Sequence, residues 1–101
     1  MKYVVLFEDD PDRASERGKH MSAHLAFLKD HAESVQAAGP LFDGDGADGA
    51  GGLWLVDAPD AQTVRTLVET DPFWPTGLRQ SVRILRWQRV FADGAVLIAQ
   101  K

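Results

Sequence analysis

Three histidines, His20, His24 and His31, fall within one short stretch and are the only imidazoles in the chain. Histidine titrates closer to neutrality than any other side chain, so proton transfer is the first chemistry to consider. One carboxylate is placed where it needs help. Asp71 closes an apolar helical pattern over residues 61–70 and precedes Pro72 and Phe73. The dipole of a helix makes its C-terminus an unfavourable place for negative charge. A carboxylate there calls for a cationic or hydrogen-bond-donating partner. An imidazole that gives one nitrogen's proton to such a carboxylate has a fixed tautomer and a more basic second nitrogen. His24 and Asp71 are therefore the expected catalytic pair, with His24 as general base and Asp71 as its orienter. The plainer alternative is a core-boundary histidine and a turn-forming aspartate.

Other chemistries fit less well. His20 and His24 stand four residues apart on one helix face, a spacing that can hold a metal. Met21 follows His20, however, where a metalloprotease helix carries glutamate. No metal is expected. The absence of cysteine excludes thiolate nucleophiles, disulfides and thiolate zinc or iron–sulfur sites. The run DGDGADGAGG over residues 43–52 suggests a calcium loop, but the twelfth position from Asp43 is Trp54 instead of glutamate. It also lacks the Lys-Ser/Thr ending of a phosphate loop. No serine sits in a nucleophile-elbow pattern, and no cofactor is expected.

Charge is unevenly spread. The net charge is −4, which speaks against nucleic acid as a partner. Residues 1–60 carry twelve acids against five bases, and residues 61–101 three against six. Arg79, Arg83, Arg86 and Arg89 fall close together, either as a solvated strand face that pairs with acidic surface elsewhere or as a positive lip that attracts a small anionic ligand. Arg83 is the expected substrate contact. Trp74, beside Asp71 in a proline-flanked turn, is the expected aromatic wall.

The elements that must position these residues follow from periodicity. Lys2–Phe7 reads as a central strand, apolar on both faces. A helix is expected from Asp12 or Ala14 to about Ala37, with Met21, Leu25, Leu28, Ala32 and Val35 as its apolar stripe. Gly18 is a possible break, Gly39–Pro40 a stop, and Leu41–Phe42 a short strand. On that register His24 borders the core, about 60° from the stripe's centre. Leu53–Val56 reads as a strand. Asp60 is the N-cap of a helix over Ala61–Thr70, which Pro72 terminates. Val82–Val90 is a strand, Asp93–Gly94 a hairpin turn, and Ala95–Ala99 a further strand.

The order is βαββαβ with an extra C-terminal strand. This is the α+β, ferredoxin-like pattern: an antiparallel sheet with two helices on one face. At 101 residues it is a single domain. The other sheet face is too apolar to stay wet, and a second copy is its expected cover, giving a homodimer. No stretch approaches the roughly 20 apolar residues of a membrane helix, and no leader pattern opens the chain. A cytoplasmic protein with no membrane partner is expected.

In their order and spacing these pieces resemble the YCII-related family. They are KYVVLF, then His24–Leu25 with Leu28, Ala38–Gly39–Pro40–Leu41, the glycine-rich loop, Asp71–Pro72–Phe73 and Gly77. The resemblance spans residues 1–91 and leaves 92–101 as an extension. It implies a dimeric ferredoxin-like α+β barrel with a histidine–aspartate site at His24 and Asp71. It also implies proton-transfer chemistry on small organic molecules, of lyase, dehalogenating or isomerase type, without a redox cofactor. A non-catalytic ligand-binding module of the same fold is the alternative. Relatives often carry an arginine three residues before the histidine. Here that position is Met21, and Arg17 or Lys19 would have to substitute.

Overall fold

The computed structural model describes residues 1–99. It contains β1 (Lys2–Asp9), α1 (Ser15–Asp30), β2 (Val35–Phe42), β3 (Gly49–Asp57), α2 (Ala61–Thr70) and β4 (Arg79–Arg86). A two-residue hairpin follows, β5 (Phe91–Ala92) and β6 (Ala95–Val96). Single 3-10 turns precede α1, at Pro11–Arg13, and β4, at Trp74–Thr76. The main sheet runs β2-β3-β1-β4 and is antiparallel throughout. This is the ferredoxin-like α+β arrangement, with β1 central as its apolar composition requires.

Alternation along the strands separates the two sheet faces. Tyr3, Val5 and Phe7 are buried, together with Trp54 and Val56 of β3. They pack against Val64, Leu67 and Val68 of α2 and Phe27 of α1. Asp60 caps α2 as expected: its carboxylate accepts from the Thr63 amide at 2.8 Å.

The first helix stops well short of residue 37. His31 is its C-cap, donating its amide to the Phe27 and Leu28 carbonyls. Residues 31–34 turn, and Val35 opens β2. Ala32 and Val35 fit the helical period only by coincidence. Gly39 and Pro40 lie inside β2 instead of ending the helix. Proline is tolerated there because β2 is an edge strand, where one side of the backbone needs no donor. Gly18 does not interrupt α1. The buried face of α1 is also rotated from the expected stripe: His24 and Phe27 are buried, while Leu25 is 56% exposed. His24 is therefore well inside the core boundary.

β3 begins four residues earlier than expected, within the glycine run. Gly51 has φ +111°, and a Cβ there would lie 1.8 Å from the Phe7 carbonyl oxygen. Only glycine fits this approach of β3 to β1. β4 begins at Arg79 and ends at Arg86, earlier than expected at both ends. The expected tail strand is shorter, limited to β6 in a hairpin. Asp93 and Gly94 both take positive φ, 53° and 77°, the conformation that a tight two-residue hairpin demands.

Candidate active site

α1 presents Arg17, Met21, His24 and Leu28 on one side, at spacings of four, three and four residues. α2 ends at Asp71, whose backbone leaves the helix with φ −59° and ψ 133°. That turn carries the Asp71 side chain under α1. His24 Nδ1 and Asp71 Oδ1 are 2.8 Å apart, and both residues are buried, at 6% and 2% exposure. The Phe73 amide donates to the same Oδ1 at 3.2 Å. These two donors offset the unfavourable dipole at the end of α2. With Nδ1 committed to the carboxylate, Nε2 is the nitrogen left for a ligand.

Aromatic rings fix the imidazole plane. Phe73 stacks on His24 with centroids 4.1 Å apart and an 18° tilt. Trp54 lies at 6.3 Å. A cavity of about 110 Å³ opens beside the imidazole, lined among others by Arg17, Met21, His24, Pro40, Trp54 and Arg79. An adjoining cleft of about 420 Å³ shares Arg17 and Pro40 and adds Asp9, Asp10, Leu41 and Phe42.

The cations at the site are Arg17 and Arg79. Arg17 Nη2 bonds to Asp9 Oδ2, and Arg79 Nη1 to Asp9 Oδ1 at 3.1 Å. The Arg79 guanidinium lies 4.1 Å from the Phe7 ring centroid and 5.2 Å from that of Phe73. Its pKa is lowered, first by burial and also by Arg17; Asp9 opposes the shift.

The expected binding residues lie elsewhere. Arg83 pairs in register with Leu6 on the outer sheet face and lines a separate shallow hollow with Glu8 and Ser81. Val82 and Ile84 point inward, so alternation turns Arg83 out. Trp74 packs against the core beyond the Asp71 turn, donating its amide to the Asp71 carbonyl at 2.9 Å, and does not line the His24 cavity. Of the two nearby cations on α1, Arg17 reaches the cavity, whereas Lys19 pairs with Glu16. His20 also pairs with Glu16, at 3.1 Å. Among the described residues no three His, Asp or Glu side chains gather at metal-binding distance. Asp9 carries no sequence signal beyond turn chemistry, and Phe73 none beyond its place in Asp71–Pro72–Phe73.

Fold and site together define a ferredoxin-like α+β domain with a buried histidine–aspartate pair at a cavity. The chain belongs to the YCII-related domain family, whose pattern matches residues 1–88. No curated protein matches. Among solved structures, the chain is similar to 5-chloro-2-hydroxyhydroquinone dehydrochlorinase (TftG) from Burkholderia phenoliruptrix AC1100, in complex with 2,5-dihydroxybenzoquinone. The two share 30% identity and a TM-score of 0.76, over 87% of this chain and 94% of that one.

Proposed function

We propose that the protein is a small-molecule enzyme that moves protons with the His24–Asp71 pair, in a lyase, dehalogenating or isomerase reaction. The observation that carries this reading is the 2.8 Å bond between two buried side chains at the wall of a cavity. Asp71 accepts from Nδ1–H and holds the tautomer in which Nε2 has a free lone pair. Nε2 takes a proton from the ligand. In an elimination, the former C–H pair becomes the new π bond and the leaving group departs with its own bonding pair. In an isomerisation, the imidazolium returns the proton at another atom. Neither route consumes an oxidant. The likeness to a dehydrochlorinase supports the elimination form, and chlorinated hydroxyhydroquinones are the first substrates to try.

Chloride release from 5-chloro-2-hydroxyhydroquinone is the direct assay. Wild type should release chloride, and His24→Asn should lose about 10²–10⁴-fold of that rate, the usual size of positioned acid–base catalysis. Full activity in a folded His24→Asn protein would overturn the role of His24, and absence of chloride release from the wild type would leave a ligand-binding module instead.

We also infer that a second copy covers the outer face of the sheet. Val4, Leu6, Leu53 and Leu55 are only half-buried there, and Leu85 is exposed. Val90, Phe91, Val96 and Leu97 in and beside the terminal hairpin are exposed as well. A self-complementary sheet-on-sheet contact would bury both.

A further inference from the structure

We propose that Trp54 is a ligand-binding residue of the His24 cavity, its indole N–H donating to an oxygen of the ligand. The inference rests on the reading of that cavity as the ligand site. It adds a requirement: the ligand carries a carbonyl or hydroxyl oxygen where it meets β3.

Trp54 lies on the buried face of β3, in register with Val5 of β1 and Ala38 of β2. It contributes the sheet side of the cavity, which Met21, Leu25 and Leu28 of α1 and Ala38 and Pro40 of β2 also line. Aromatic rings hold it in place: Phe7 meets it edge-on at 5.2 Å between centroids, and Phe27 lies at 6.1 Å. A buried tryptophan ordinarily gives its N–H to an acceptor. Trp54 is 1% exposed, and among the described residues no protein group accepts from its Nε1. That nitrogen is not sealed in the core either. Among the described residues, Arg79 Nε is the one fully enclosed side-chain polar atom that lacks a partner. The indole N–H therefore keeps a small opening, and the space that Trp54 lines is the cavity beside His24.

An unmet donor facing a cavity is served by solvent, and a ligand that displaces the solvent must bring an acceptor in its place. An indole N–H is neutral and donates only, at any pH. It holds a ligand oxygen whether that oxygen is neutral or charged, and so before and after a proton moves to His24. It also turns away a ligand that presents an N–H or ammonium group at this point, because two donors would then face each other without an acceptor. Discrimination of this kind exceeds what the apolar walls give by fit alone. The sequence points to Trp74 as the aromatic wall; the tryptophan that lines the cavity is Trp54.

The test follows the indole N–H signals of ¹⁵N-labelled protein, of which Trp54→Phe identifies one; sequential assignment serves if that variant does not fold. Without ligand, the Trp54 N–H should exchange with water from the folded state, as that of the half-exposed Trp87 does. Protection equal to that of the core amides overturns the proposal. The probe is 2,5-dihydroxybenzoquinone, the molecule bound in the similar dehydrochlorinase structure. It should move the Trp54 signal downfield and saturably, and Trp54→Phe should weaken its binding about three- to tenfold. A Trp54 signal that stays in place while the His24 ring responds, or unchanged affinity in folded Trp54→Phe, also overturns the proposal. Silence of both rings sinks the cavity reading with it. The acid–base role fails separately: undiminished turnover in His24→Asn removes that role and leaves the Trp54 contact standing.

Discussion

The imidazole of His24 lies nearly parallel to the ring of Phe73, 4.1 Å away, while its Nδ1 faces the carboxylate of Asp71 two residues earlier in the chain. One turn after α2 thus supplies both the plane and the hydrogen-bond acceptor that orient the candidate base. Phe73 is fully buried. Phe73→Ala should destabilise the protein by about 3–5 kcal/mol through the cavity it leaves. Phe73→Leu should fold and yet lower kcat more than it raises KM, because the stacking plane is lost while the cavity lining persists. Denaturant melts and steady-state kinetics on the substrate proposed above separate the two effects.

Asp71→Asn should keep the shape of the turn and confuse the tautomer, since an amide can donate to Nδ1 as well as accept from it. The expected result is a turnover loss of about 10²-fold or more, consistent with the general weight of a positioned base. The ¹⁵N shifts of the His24 ring at neutral pH read the tautomer directly. Unchanged ring shifts in the variant would show that the carboxylate does not set the imidazole's state.

Gly51→Ala should damage the fold through its backbone contact with β1. The new Cβ would overlap the Phe7 carbonyl, and the positive φ would be strained in addition. A loss of at least about 2 kcal/mol is expected. Gly49→Ala, where a Cβ meets no atom within 4 Å, is the matched control and should be close to neutral.

The acid limb of stability has a defined contributor. Hydrogen bonds from the Thr63 side chain and amide hold the Asp60 carboxyl below its ordinary value of 3.8. A carboxyl depressed in the folded state stabilises above its unfolded pKa and loses that contribution as pH falls through the folded one. Asp60→Asn should therefore flatten the fall of Tm below about pH 4 relative to wild type. Thermal melts from pH 7 to pH 2.5 would show it. Parallel curves for the two proteins would mean that Asp60 does not carry the acid dependence.

Light scattering should return about 22 kDa, twice the chain's 11.1 kDa, if the outer sheet face pairs with itself. Leu6→Glu should yield the monomer. A wild-type protein that runs as a monomer at micromolar concentration would remove the second copy from the account.

Much of this arrangement is written in local pattern. β1, α2 and its Asp60 cap follow from period and capping chemistry alone, and the dipole argument leads to Asp71 and to a partner for it. The exit of α1 is less legible. Ala32 and Val35 extend the helical period across a turn, and Gly39–Pro40 suits an edge strand as well as a helix stop. Arg83 was attractive for its charge, but Val82 and Ile84 on either side show by alternation that it points away. Arg79 and Asp9 could not be chosen from sequence, because their meeting depends on a register shift between strands far apart in the chain.

That shift sets the electrostatics of the cavity. Glu8 pairs with Ser81, but Asp9 pairs with Arg79, so Gln80 is one residue too many on β4. In plain alternation Arg79 would share a side with Ser81 and Arg83. Were Gln80 to pair with Asp9 in regular register, a cation would be transferred from the reaction chamber to the opposite surface, with no residue changed. This single bulge therefore matters more to ligand choice than most side chains of the strand.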